Sequence, residues 1–271
     1  IAGPRGVVVL HDLLPLSNPS GFRPFYRAWV RVAHAGGARR ALAVITVSQW
    51  SAGEICRVLG LPRERVTVVS QGPGPLDAPA SAIAVARIRE RYGLSNPFFV
   101  CVTGGDPRKG LDFLRDVWRS PAGPRDADLV AVGGRSGAIH REGEGGRDAA
   151  IRHVGHVPDE DLRALYTGAV ALLFPSLAEG FGRPPLEALA CATRVVAAPY
   201  GAVREVLGDA GEVVPRETDA WAEAIRALLA EPADVRSARL AEGRGWAGAF
   251  SWERAAGEVA RVCRAAAGSS P

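Results

Sequence analysis

Short apolar runs alternate with stretches of helical periodicity along most of this chain. Val7 to Leu10 is a continuous apolar run of strand length, and Ala43 to Val47 and Val66 to Val69 read as two more strands. Between the first two, Phe22 to Arg40 sets Phe22, Phe25, Trp29, Val30 and Val32 among arginines, the pattern of an amphipathic basic helix. Between the second and third, Ser51 and Glu54 form a capping box that opens a helix ending before Gly60. Strand, helix, strand, helix, strand in this order predicts a parallel α/β sheet, though three strands are only half of a doubly wound domain. Ser70 to Pro79, dense in Gly and Pro, is the linker candidate. A helix over Ala82 to Tyr92 follows and runs to Gly93. Six strand candidates then alternate with helices: Phe98–Thr103, Asp128–Val132, Ile151–Val154, Val170–Phe174, Arg194–Ala198 and Glu212–Val214. That number suits a complete Rossmann-like domain. Two amphipathic helices, about Ala220–Leu229 and Glu253–Ala265, close the chain, the first with Trp221, Ile225, Leu228 and Leu229 on one face.

The polar residues that matter stand where these strands end. After Phe174, the stretch SLAEGFGRPPLE makes a Gly-rich turn, and Pro184-Pro185 set φ for the first turn of a helix. Glu179 lies in that turn and Glu187 in the helix, beside free N–H groups at Gly182 and Arg183 that favour an anion. Carboxylates accept from vicinal hydroxyls, so a ligand with sugar hydroxyls at both ends and phosphate between would satisfy them all. The same pattern also fits a plain strand–turn–helix with two solvated glutamates. After Thr103, Gly104-Gly105-Asp106-Pro107-Arg108-Lys109-Gly110 is neither a dinucleotide fingerprint nor a Walker loop. It puts Arg108 and Lys109 at the mouth of a helix, either to neutralise a phosphate leaving group or as a basic surface loop. Gly133-Gly134-Arg135 ends the next strand, and the edge around Val154 offers backbone groups to a nucleobase. His11, followed by Asp12 at the end of the first strand, suits a contact to a sugar hydroxyl or proton transfer, or a structural role.

Composition narrows the class. The chain has 271 residues, 47% hydrophobic, with 32 Gly and 20 Pro, enough for one large or two medium globular domains. A net charge of +4, carried almost wholly by arginine, suits anionic substrates, a membrane surface or simply a solvated exterior. The helix over 22–40 has the same two readings, a wet arginine face or a face on anionic lipid. No apolar run reaches the length of a membrane span, and Ile1 opens no signal-peptide pattern. Cys56, Cys101, Cys191 and Cys263 are widely spaced, which predicts buried, reduced thiols and a cytoplasmic setting. The histidines have no metal-ligand spacing, and no hydrolase or protease motif is present. The chain contains no Met, so a fragment of a longer protein is expected.

EGFGRPPLEALACATRVVAAPYGAVREVLGDAG resembles the signature of the retaining GT-B glycosyltransferases, glycosyltransferase family 4 with its E-x7-E motif. VVVLHDLLPL, ITVSQWSAGEICRVLGLPRERVTVVSQG, GGDPRKGLDFL, IRHVGHVPDEDLRALYTGAVALLFPSLAEGFG and FSWERAA resemble its successive blocks, with the N-terminal part missing. The resemblance implies two Rossmann-like domains facing a cleft. A partial acceptor-side domain would cover 1–75 and a nucleotide-sugar-binding domain 76–251, with 252–271 crossing back onto the first. It implies hexose transfer, mannosyl or glucosyl, from a nucleotide-diphosphate sugar to a carbohydrate, lipid-linked or natural-product hydroxyl, with retention, no metal ion and no nucleic acid. By the motif, Glu179 would bind the sugar ring and Glu187 the ribose. Gly180, Phe181, Gly182 and Arg183 would meet the phosphates and sugar, and Lys109, with Arg108, would contact the diphosphate. His11 would sit by the hexose, making His11, Lys109 and Glu179 the catalytic set. Departures are Gly105 where many members carry arginine, Gln71 for Asn, Ala192 for Gly, Arg194 for Pro, and Arg183 for an aliphatic residue. The competing readings are a non-catalytic nucleotide-sugar-binding homologue and a GT-B epimerase or hydrolase.

Overall fold

A computed structural model describes residues 6–18, 22–104, 106–133 and 151–268. The loop expected over Arg141 to Arg147 lies outside the described residues. The first part of the chain comprises β1 (Val7–Val9), α1 (Leu14–Ser17), α2 (Pro24–Arg40), β2 (Ala43–Thr46), α3 (Gln49–Leu59) and β3 (Val66–Val68). Its strands form a parallel sheet in the order β1-β2-β3.

After the 70–79 connection come α4 (Ala82–Tyr92), β4 (Phe98–Val102), α5 (Leu111–Arg119), β5 (Asp128–Val132), β6 (Ile151–Gly155), α6 (Asp159–Gly168) and β7 (Ala171–Phe174). Then follow α7 (Arg183–Ala190), β8 (Arg194–Ala197), α8 (Val203–Leu207), β9 (Glu212–Val213), α9 (Thr218–Leu229), α10 (Ala233–Ala247) and α11 (Trp252–Gly268). These strands make a six-stranded parallel sheet, ordered β6-β5-β4-β7-β8-β9. The order reverses between β4 and β7, and ligands of open α/β sheets bind in the crevice at such a switch point. The four central strands, β5, β4, β7 and β8, are buried on both faces, which is why each is apolar almost throughout, whereas the edge strands β6 and β9 expose Arg152, His153 and Glu212.

Several elements differ from expectation. The helix α3 begins at Gln49, and Ser48, not Ser51, is its cap, with Ser48 Oγ accepting from Ser51 N at 3.0 Å. The expected capping box is therefore not formed, and Glu54 pairs with Arg57 instead. In the 22–40 segment only Phe22 and Val30 of the expected apolar set are buried. Phe25, Trp29 and Val32 are exposed, while Val30, Ala35, Gly37 and Ala38 are buried. In α9, Trp221, Ile225 and Leu228 are buried but Leu229 is exposed. The chain closes with three helices rather than two. The unforeseen α10 has no apolar stripe and docks through small residues, Gly243 against Leu189 and buried Ala247. Cys101 and Cys191 are buried, but Cys56 is half-buried and Cys263 exposed, because their helices turn those positions outward; all four are free. Ala192, in the position where glycine was expected, takes φ +55.

The two sheets are joined by α11 and by the 70–79 connection. Helix α11 lays Ala255, Val259 and Val262 against Ile45 and Val69 of the first sheet. At the linker, a side chain on Gly72 would run into the backbone of Trp252.

Candidate functional site

The loops after β4 and β7 meet at the switch point and are sewn together by backbone contacts. Leu177 N donates to Arg108 O at 2.9 Å, and Ser176 Oγ lies 3.3 Å from the same carbonyl. Gly110, at φ +73, lies so close to Pro175 O that a side chain there would meet it at 2.8 Å. This closure delivers Lys109 to Glu179. Lys109 Nζ is 2.5 Å from Glu179 Oε1, and Ser176 Oγ donates to the same oxygen at 2.7 Å. Lys109 Nζ also stands 5.4 Å from the Phe174 ring centroid, which holds the ammonium over the end of β7. Lys109 is the only lysine in a chain with 33 basic side chains, a signal in the sequence that the motif reading did not use.

Arg108 is committed elsewhere. Its guanidinium forks onto Asp106, at 2.6 Å for the shorter contact, and lies 4.4 Å from the ring centroid of Phe22. It thus connects the second domain to the first, and Lys109 is left as the cation facing the carboxylate. Gly105 lies outside the described residues, as do Gly134 and Arg135. Gly133, at φ +124, packs against the backbone of Gly104, so the turns after β4 and β5 touch.

After Glu179, the Gly180 carbonyl turns to the first domain, and Phe181 is buried edge-on to Phe250. Gly182, at φ +102, precedes α7 with its α-carbon against the Tyr200 hydroxyl. Pro184 and Pro185 carry no N–H, so the start of α7 offers only the N–H groups of Gly182 and Arg183 to an anion. A lysine nearby therefore matters more here than at an ordinary helix start.

Glu187 is 5% exposed, and Arg183 Nη2 lies 2.9 Å from its Oε1. Burial pushes its pKa up, and the arginine pulls in the opposite direction. Four residues apart on one helix, the two side chains meet on one face. Arg183, unexplained by the motif, is thus the counter-ion of the second motif glutamate. Val154, the last residue but one of β6, lies two strands away from β4, half-buried along the same C-terminal edge.

The first domain brings His11 and Asp12 to this edge. His11 is exposed, with Nδ1 3.1 Å from Gln71 Nε2. An amide nitrogen can only donate, so Nδ1 accepts and the imidazole proton sits on Nε2. Gln71, another departure from the motif, thereby fixes the tautomer. Asp12 accepts from Leu14 N at 2.9 Å, and a side chain on Gly180 would meet Asp12 Cβ at 2.7 Å. Burial raises the Asp12 pKa, and the nearby Glu179 carboxylate adds to the rise. A cavity of about 630 Å³ extends from His11 and Asp12 between β1 and α2, past Tyr26 and Trp29. Sequence reasoning missed Asp12 as a neighbour of Glu179, it missed Ser48 and Ser176, and it read Ser51 only as a helix cap. The capping signal at 48–51 was visible but was assigned one turn late.

Comparison with known proteins places this geometry. The family described as "Glycosyl transferases group 1" matches residues 96–231, and that described as "Glycosyltransferase Family 4" matches residues 1–72. The O-antigen chain mannosyltransferase B of Escherichia coli is 30% identical over 261 residues, covering 92% of this chain and 67% of that protein. A D-inositol 3-phosphate glycosyltransferase of Xylanimonas cellulosilytica is 34% identical, covering 81% of this chain and 56% of that protein. The crystal structure of Anabaena HepE in complex with UDP-glucose superposes with a TM-score of 0.78 at 22% identity, covering 96% of this chain and 72% of that one. The fold is GT-B.

Proposed function

Because the chain belongs to the group 1 glycosyltransferases, we propose that it transfers a hexosyl unit from a nucleoside diphosphate sugar to a hydroxyl acceptor, retaining the anomeric configuration without a metal ion. The observation that carries this reading is the pairing of Lys109 with Glu179 at the switch point, next to the start of α7 and the buried Glu187. The mannosyl and glucosyl relatives support a hexose as the transferred sugar. The donor's diphosphate draws Lys109 away from Glu179, so each charge gains a ligand partner as the pair opens. Glu179 then accepts from hydroxyls of the sugar, and Glu187 accepts from the ribose. The N–H groups of Gly182 and Arg183 meet phosphate, and His11 Nε2–H donates to a sugar hydroxyl. The acceptor oxygen attacks the anomeric carbon on the face from which the diphosphate departs. The bond from that carbon to the phosphate oxygen breaks, its electron pair leaves with the nucleoside diphosphate, and the acceptor proton passes to the leaving phosphate. Lys109 stabilises the developing negative charge.

The test is a donor screen followed by site variants. GDP-mannose or UDP-glucose should raise the thermal midpoint of the chain by mass action. Donor should also protect Lys109, its only lysine, from an amine-reactive reagent. Glu179→Ala, Glu187→Ala and Lys109→Ala should each lose transfer, and wild-type turnover by all three would defeat the assignment.

A second surface supports a reading of the acceptor's setting. Among the described residues no helix is long and apolar enough to cross a membrane. Yet α2 exposes Phe25, Trp29 and Val32 along one stripe, with Arg31, Arg39 and Arg40 exposed and no acidic residue in the helix. That combination fits the surface of an anionic bilayer and a lipid-linked acceptor. Sedimentation with phosphatidylglycerol vesicles, but not with phosphatidylcholine alone, is expected. Trp29→Ser with Phe25→Ser should abolish it.

A further inference from the structure

The first turn of α3 is capped from the other domain. Glu205, in α8, accepts from Gln49 N at 2.6 Å through Oε2 and from Trp50 N at 2.9 Å through Oε1. A helix start leaves its first N–H groups without partners and favours negative charge, so this carboxylate meets both needs across the domain boundary. The third N–H, of Ser51, goes to Ser48 Oγ. Both hydroxyls, on side chains that are fully buried, then donate to one carbonyl, Gly180 O, at 2.6 Å from Ser48 and 2.9 Å from Ser51. Gly180 is the residue after Glu179. Beside these bonds the Trp50 indole lies flat on Gly201, where any side chain would overlap the ring.

We propose that Glu205 is a positioning residue that clasps the two domains together at the start of α3 and thereby fixes the Gly180–Phe181 peptide next to Glu179. Nothing in the family motif read from the sequence assigns this role to Glu205. Its carboxylate touches the first domain rather than Lys109, Glu179 or Glu187. The clasp works through geometry: with Gln49 and Trp50 held, Ser48 and Ser51 are aimed at Gly180, and the 180–181 peptide, one residue after Glu179, cannot rotate without losing two buried hydrogen bonds. Losing Glu205 frees the α3 start, lets the domains part and lets Glu179 drift from the reacting carbon. The coupling to transfer rests on the functional reading above; the clasp itself does not.

The experiment compares the wild-type chain with Glu205→Ala, Glu205→Gln and Gly201→Ala. The last inserts a wedge under Trp50 without altering any charge. Hydrogen exchange at the Gln49 and Trp50 amides should quicken about tenfold in Glu205→Ala and Gly201→Ala, with less effect in Glu205→Gln, which keeps one acceptor oxygen. Small-angle scattering should give a larger radius of gyration for the first two. In transfer assays kcat should fall about tenfold or more while the donor KM changes less than about threefold, because Lys109, Glu187 and the α7 start all lie in the second domain. A role limited to folding would spread faster exchange over the whole chain. Unchanged exchange and radius in both Glu205→Ala and Gly201→Ala would overturn the clasp. Faster exchange with wild-type kcat would overturn its coupling to Glu179. A wild-type chain that transfers no sugar counts against the functional reading alone, and exchange and scattering still decide the clasp.

Discussion

Tyr200 has a buried hydroxyl with no hydrogen-bond partner among the described residues, set against the α-carbon of Gly182. An unmade buried hydrogen bond costs free energy, so Tyr200→Phe should leave the thermal midpoint unchanged or raise stability by up to about 1 kcal/mol. Gly182→Ala should cost about 2–3 kcal/mol, since it both overlaps that hydroxyl and strains a φ of +102. Adding Tyr200→Phe to it should recover only the part due to overlap, which thermal melts of the three variants would resolve. Glu187 gives a pH prediction. Its folded-state pKa lies above the ordinary 4.5, so its contribution to stability is full below that value and is lost as pH rises through the folded one. Donor binding runs the other way, because a ribose hydroxyl donates best to the ionised carboxylate. Arg183→Ala removes the charge that holds the pKa down. The pH at half-maximal donor affinity should therefore move upward in calorimetric titrations, and an unmoved midpoint would exclude Arg183 as the counter-ion.

At the level of elements, α4 and α6 are pinned by Asp161, which is 1% exposed and pairs with Arg91 at 2.6 Å and Arg87 at 3.1 Å. Both arginines are more than half exposed and can return to water, whereas the carboxylate cannot. Asp161→Ala should therefore cost about 1–2 kcal/mol, and the double variant Arg87→Ala with Arg91→Ala more, about 3 kcal/mol, because it strands a buried charge. Denaturant titration would show the order, and a reversed order would refute the argument. Elements differ in how well the chain announces them. Helix α4 carries its own start and stop, Ser81 accepting from Ala84 N and Gly93 at φ +63, and its limits were read to the residue. Helix α10 gives no such signal because backbone proximity at Gly243, rather than an apolar stripe, attaches it to α7.

For the whole molecule, α11 is the tie between the end of the chain and its beginning. Removing residues 252–271 would uncover Ile45 and Val69, which Ala255 and Val262 now cover. The shortened chain should melt about 5–10 °C lower, with the first domain binding a hydrophobic dye before the second unfolds. Simultaneous melting of both domains would show that α11 is not what holds the first one.

The sequence by itself determined the alternation of buried strands and helices, because a parallel strand covered on both faces must be apolar throughout. It also determined the Glu179 and Glu187 pair, because eight residues across a strand–turn–helix are a local relation. The sequence carried the sole lysine as well, without saying what that lysine faces. Tertiary structure decided the partners. Lys109 meets Glu179 from 70 positions away, and Ser48 meets the Gly180 carbonyl from 132. The stacking of Arg108 on Phe22 and the capping of α3 by Glu205 follow from how the two parts of the chain face each other. Periodicity along the chain records which side of an element is covered only when one core covers it, and these residues lie where two domains meet.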